Sequence, residues 1–106
     1  MSTRASVQII DGDEVLYFYQ HSDGYPEGIG ETLKQILAKK AVAEEAGDAE
    51  YLAGRLLMEV NRDFIERNLR LPDLVPAFGV HGDESYTYRI DSHTLEITTL
   101  RGAQKP

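Results

Sequence analysis

Apolar and polar positions change their period along this chain, and each change predicts a different element. Val7 to Ile10 and Val15 to Gln20 are short runs rich in Val, Ile, Tyr and Phe, the composition of strands. Between them Asp11-Gly12-Asp13 supplies residues that tolerate left-handed turn geometry, so the two runs predict a hairpin. In the second run Leu16 and Phe18 alternate with Val15, Tyr17 and Tyr19, which puts large side chains on both faces and predicts at least partial cover on each.

The period then lengthens. From about Glu27 to Glu45, Leu33, Ile36, Leu37 and Ala41 recur at three- and four-residue spacing, with Lys34, Lys39 and Lys40 outside the stripe, as one amphipathic helix requires. Gly47 suits a left-handed helix end and Asp48 suits an N-cap, so a tight break there starts a second helix. That helix is predicted to run to about Asn68, with Leu52, Leu56, Val60 and Phe64 spaced by four and Leu57 widening the stripe. On its polar side Glu59 with Arg62, Asp63 with Arg67 and Glu66 with Arg70 fall at three- or four-residue spacing, where each pair adds about 0.2 to 0.5 kcal/mol. The arginines therefore read as a self-neutralised helix face.

Pro72 and Pro76 stop further helix because neither donates a backbone N–H, and Leu71 to Pro76 is predicted to be a connector. Ala77 to Val80, Ser85 to Ile90 and Leu95 to Leu100 read as strands. The order ββααβββ predicts an α+β domain: a mainly antiparallel five-stranded sheet with two helices on one face. A length of 106 residues with 42% apolar side chains fits a single compact domain over 1–106. Residues 1–5 and 102–106 have little to bury and are expected to be loose.

Composition narrows the chemistry. With no cysteine, disulfides, thiolate nucleophiles and cysteine-ligated zinc are excluded, which suits a reducing cytoplasm. No apolar run approaches the roughly 18 residues of a membrane helix, and no secretory signal pattern opens the chain. The net charge is −7, and residues 1–50 hold ten acidic against four basic side chains while residues 51–106 hold eight against seven. Such a surface disfavours direct contact with nucleic acid and suits a basic partner, although acidity also serves solubility alone.

The most information-dense stretch is His21-Ser22-Asp23-Gly24-Tyr25-Pro26-Glu27-Gly28-Ile29-Gly30, between the hairpin and the first helix. Pro26 suits a first helical turn, and Gly24, Gly28 and Gly30 permit close backbone approach. A helix opening this way is expected to expose N–H groups that favour an anion, with His21 as a switchable donor. No lysine follows in P-loop spacing and GxGxxG is absent. Asp23, Glu27 and Glu31 would repel an anion. The plainer reading is an Asp23 cap followed by a Gly24-Tyr25-Pro26 turn, and both stay open.

His81-Gly82-Asp83 repeats the spacing of His21-Ser22-Asp23 at a second strand-adjacent loop. If the loops converge, His21, Asp23, Tyr25, Gly28, Gly30, His81, Asp83 and Tyr86 would line one pocket for a phosphate-bearing molecule or a metal, and the imidazoles and carboxylates could serve as acid and base. HExxH and GxSxG are absent, so no metal, cofactor or serine nucleophile is expected. Tyr17, Tyr19, Tyr25, Tyr86 and Tyr88 all fall in the β regions or this loop. A shared tyrosine face would suit base stacking or protein contact, and cross-strand packing is the plainer alternative.

HSDGYPEGIGETL, from His21 to Leu33, resembles an HxDGYPxGxGxxL pattern of small proteins from phages, prophages and related bacterial loci. GVHGDESYTYRID, from Gly79 to Asp91, resembles a segment that follows it in such proteins. The two blocks make up about a quarter of the chain. The resemblance assigns no catalytic residue. It implies an inhibitor of host defence, such as an anti-CRISPR protein, acting in the bacterial cytoplasm.

Two expectations follow. In the first, a non-enzymatic interaction protein presents Asp11, Asp13, Glu14, Asp23, Tyr25, Glu27 and Glu31 to a basic surface of a host protein or ribonucleoprotein. In the second, the His21/Asp23 and His81/Asp83 loops form a small-ligand module or minor enzyme. A free strand edge or the second helix would serve a homodimer, which no sustained heptad requires.

Overall fold

The computed structural model describes residues 2–62, 66 and 72–106. Five strands form one sheet: β1 (Ala5–Asp11), β2 (Glu14–Gln20), β3 (Leu74–Ala77), β4 (Tyr86–Asp91) and β5 (Ile97–Arg101). Their spatial order is β3-β2-β1-β4-β5. The α+β class and the five strands agree with the sequence pattern, whereas the sheet is mixed. The β1–β2, β2–β3 and β4–β5 pairs are antiparallel, and β4 lies parallel to β1.

The parallel pair has a topological cause. β3 runs antiparallel to β2 and so in the direction of β1. The chain then returns through residues 78–85 to start β4 level with Ala5, where Ser85 N–H donates to Arg4 C=O at 2.8 Å. Strand periodicity alone carries no signal for such a return, because direction is set by the path of the connection. The connector expected at Leu71 to Pro76 is corrected in part. Leu74–Ala77 pairs with Tyr17–Gln20, and Pro76 is tolerated because β3 is an edge strand.

Between β2 and β3 the helical layer comprises a π-helical turn at Pro26–Gly30, α1 (Glu31–Leu37), α2 (Lys40–Glu44) and α3 (Ala49–Val60). The single helix expected over Glu27 to Glu45 is thus broken. Lys39 is extended, with φ −71° and ψ 139°, and the bend brings Val42 into the core while Ala41 stays exposed. Gly47, at φ 94°, makes the predicted left-handed break. Asp48 caps α3 by accepting from Tyr51 N–H at 3.0 Å. Of the three predicted helix-face pairs, Glu59–Arg62 is formed; Asp63, Arg67 and Arg70 of the other two lie outside the described residues, as does the predicted end of the second helix.

Strand alternation assigns two faces to the sheet. Ala5, Val7, Ile9, Phe18, Tyr88 and Ile90 face the helices and pack with Ile29, Leu33, Ile36, Leu52 and Leu56 as the core. The opposite face carries Ser6, Gln8 and Thr87, which are also buried. Two irregular segments cover it. His81 lies on Tyr19, and the C-terminal segment crosses β1 and β4: Gly102 C=O accepts from Thr87 Oγ1 at 2.7 Å, Gln104 C=O accepts from Gln8 Nε2 at 2.9 Å, and Gln104 N–H donates to Thr87 Oγ1 at 3.0 Å. The ends expected to be loose are therefore tied on both sides. Ala5 is fully buried in β1, and residues 102–105 supply the partners that a buried polar layer requires.

Candidate functional site

The His21–Gly30 loop is built by close backbone approach. Asp23 adopts φ 53°, a left-handed conformation that short polar residues tolerate. Its carbonyl, rather than its carboxylate, accepts from Ile29 N–H at 2.7 Å. Gly24 N–H donates to Thr3 C=O at 2.9 Å, and Gly24 C=O accepts from the buried Tyr88 hydroxyl at 2.7 Å. A Cβ on Gly24 would lie 2.8 Å from the backbone of Thr3 and Arg4, and one on Gly30 would lie 3.2 Å from the Tyr88 ring. The glycines thus seat the loop against β1 and β4.

This geometry corrects the expectation of free N–H groups at the helix start. Gly28 and Gly30 donate to Tyr25 C=O, and Ile29 donates to Asp23 C=O. With those donors taken, the turn is not an open anion cradle. Tyr25 stands partly exposed with its hydroxyl donating to Asp23 Oδ1 at 3.3 Å. The neighbouring carboxylate, Asp23 first and Glu27 after it, raises the Tyr25 pKa above the usual phenol value.

The two His-x-Asp loops do converge, and on a side chain rather than a cavity. His81 stacks on the Tyr19 ring with centroids 3.9 Å apart, and His21 meets the same ring edge-on at 4.8 Å. The Tyr19 hydroxyl donates to Asp83, with its two carboxylate oxygens at 2.7 and 2.9 Å. Arg4 Nη1 donates to Asp83 Oδ2 at 3.0 Å. Burial, then the bond to Asp83, pushes the Tyr19 hydroxyl above its ordinary pKa, while that bond holds Asp83 below the usual carboxylate range. Glu84 accepts from His81 and Gly82 N–H at 2.8 and 2.6 Å, which fixes the loop. The eight residues expected to line one pocket are therefore dispersed. His21, His81 and Asp83 surround Tyr19; Asp23 and Gly28 border a cleft with Gln20, Asp73 and Glu59; Gly30 packs on Tyr88; and Tyr86 faces the helical layer.

The shared tyrosine face is corrected on the same grounds. Tyr17 and Tyr19 point away from the helices, while Tyr86 and Tyr88 align with Ala5 and Val7 on the helical side. Among the described residues no group of three or more His, Asp or Glu is placed to hold a metal ion. No helix among them is long and apolar enough to cross a membrane.

The seven residues expected to face a basic partner fall into two sets. Asp11, Asp13 and Glu14 form the hairpin tip, whereas Asp23, Tyr25, Glu27 and Glu31 lie beyond the other end of β2. At about 3.4 Å per residue the length of β2 separates them by about 20 Å. The hairpin set gains Asp48 and Glu50, which sequence reasoning did not place there because their proximity depends on how α3 docks. Asp11, Glu14, Asp48 and Glu50 rim a cleft of about 340 Å³ whose apolar lining is Ile9, Val15, Leu16 and Ala49. Among the described residues no lysine or arginine lines it. Asp11 also accepts from Ser92 Oγ at 3.2 Å and meets His93 Nε2 at 3.0 Å.

Sequence reasoning also missed Asp73. Its buried carboxylate accepts from Ser22 Oγ at 2.7 Å and from Gln20 Nε2, while Gln20 Oε1 has no partner among the described residues. Burial raises the Asp73 pKa above the usual carboxylate value. Its contribution is therefore most favourable below the unfolded pKa and is lost as pH rises through the folded one. Asp73→Asn is expected to raise the urea midpoint at pH 7, since the amide carries no charge and can offer N–H to Gln20 Oε1. The gain should close below pH of about 4, where both forms are neutral. Urea titrations at both pH values check this.

Searches against protein-family models, curated proteins and solved structures find no match to this chain.

Proposed function

We propose that this chain is a non-enzymatic interaction protein that uses the acidic end of its hairpin to occupy a basic surface on a larger host protein or ribonucleoprotein. The observation that carries the reading is the cleft where Asp11 and Glu14 meet Asp48 and Glu50 around an apolar floor, with no lysine or arginine lining it among the described residues. A one-signed rim steers an oppositely charged partner, and the apolar floor supplies area that charge alone does not. The resemblance of the His21–Leu33 block to phage-type proteins supports a host-defence target of the anti-CRISPR kind, met in the bacterial cytoplasm. The same charge disfavours direct nucleic-acid contact. The small-ligand reading draws less support, because its residues are divided between a packed aromatic stack and separate surfaces.

The test is affinity capture from bacterial lysate with the full chain, identified by mass spectrometry and followed by titration of the captured complex. Asp13→Lys/Glu14→Lys is expected to weaken the complex by about tenfold or more and to flatten its salt dependence. Glu27→Lys/Glu31→Lys, at the far end, is expected to change it by less than about threefold. Tight capture unaffected by the hairpin reversal and by salt would refute the reading.

A further inference from the structure

We infer that the outer edge of β2 at Glu14–Leu16 receives an extended basic segment of the partner as an added strand, with an aliphatic side chain of that segment seated in the cleft. The inference rests on the acidic-surface reading and specifies its binding mode. β3 pairs with Tyr17–Gln20 only. The chain bends at Phe78 and leaves the sheet, so among the described residues Glu14, Val15 and Leu16 have β1 on one side and no strand on the other.

A free strand edge offers backbone donors and acceptors in a row, and pockets for alternate side chains add selectivity. Both are present. Val15 and Leu16 lie on the edge and also line the cleft, and Leu16 is 36% exposed. Phe78, which is fully exposed, follows directly on Ala77, the partner of Tyr17, and bends away where it would pair with Leu16, so it stands at the corner of the open edge. An arriving strand would thus abut the exposed apolar side chains of Leu16 and Phe78.

Charge selects the occupant. Glu14, Asp48 and Glu50 stand around the same opening, so side chains flanking the buried aliphatic one gain by being lysine or arginine. A second copy would bring the same acidic edge and a net charge of −7 to meet its like. The structure therefore favours a segment that alternates basic and aliphatic residues.

The probe is a blocked peptide of about six residues, the usual strand length, alternating lysine with leucine. It is titrated into the ¹⁵N-labelled full chain. The expected result is saturable shifts confined to Glu14–Leu16 and the start of α3, with slowed exchange of edge amides. Affinity should fall by about tenfold or more when alternate peptide nitrogens are methylated, and similarly for Leu16→Ser and for the exposed helix variant Glu50→Lys. Shifts centred on Asp23–Glu31, insensitivity to N-methylation, or equal binding of a glutamate–leucine peptide would overturn the inference. So would a dimer in sedimentation that protects the same edge. If capture of the lysate partner depends on Asp13 and Glu14 while the peptide misses the edge, the strand-addition mode fails and the acidic-surface reading stands. If capture ignores salt and charge reversal, the acidic-surface reading itself fails.

Discussion

Asn61→Ala is expected to lower the unfolding free energy by about 3 to 5 kcal/mol, read from urea denaturation at constant m. Asn61 is 94% buried where α3 gives way to the approach to β3 (6% exposed). Its Oδ1 accepts from Asp73 N–H and Leu74 N–H, both at 2.9 Å, and its Nδ2 donates to Leu74 C=O at 2.8 Å. One amide therefore stands in for a strand neighbour at the first residue of β3. Truncation leaves backbone groups of buried residues without partners, and each such group costs about 1 to 3 kcal/mol. Asn61→Asp separates the two halves of the amide. It keeps an acceptor for both N–H groups but faces Leu74 C=O with an oxygen, so an intermediate loss is expected at pH 7. If Asn61→Ala costs less than about 1 kcal/mol, the side chain does not anchor β3 and water satisfies these groups instead.

The contrast between Asn61 and the strands shows what the sequence pattern could and could not reveal. Strand-type runs around Asp11-Gly12-Asp13 predicted the β1–β2 hairpin, and alternation put Leu16 and Phe18 on one face, which the structure turns toward the helices, because both signals are local. The cap at Asp48 and the left-handed Gly47 were legible for the same reason: each depends on its nearest neighbours in the chain. The split of the tyrosines was not, because it depends on whether β4 runs parallel or antiparallel to β1 and in which register. The strapping of residues 102–105 over Ser6, Gln8 and Thr87 was equally hidden. Those strand residues are polar, so alternation reads them as solvent-facing, whereas the C-terminal segment buries them with hydrogen bonds intact. Asp48 and Glu50 joined the hairpin carboxylates only once α3 had docked.

The meaning of the glycine-rich loop turns on a substitution that helix propensity and packing predict with opposite signs. Gly28 lies in the π-helical turn without a left-handed backbone, where propensity alone favours alanine by about 0.5 to 1 kcal/mol. A Cβ there would fall inside 3.0 Å of Asp23 C=O, the same carbonyl that accepts from Ile29 N–H. The obstruction is backbone on both sides, so no flexible side chain can yield, and overpacking of this kind costs about 1 to 3 kcal/mol or more. Gly28→Ala is therefore expected to destabilise by about 2 kcal/mol net, and Gly24→Ala by at least as much because its Cβ meets the backbone of Thr3 and Arg4 at 2.8 Å. Gly54 in α3 is the internal control. Nothing lies within 4 Å of its Cβ position, and Gly54→Ala should stabilise by about 0.5 to 1 kcal/mol. Opposite signs at Gly28 and Gly54 in parallel urea titrations would mean that the loop glycines are held by packing. If Gly28→Ala keeps full stability and loses only partner capture, the loop contacts the partner directly, and the acidic cleft at the hairpin is not the principal contact.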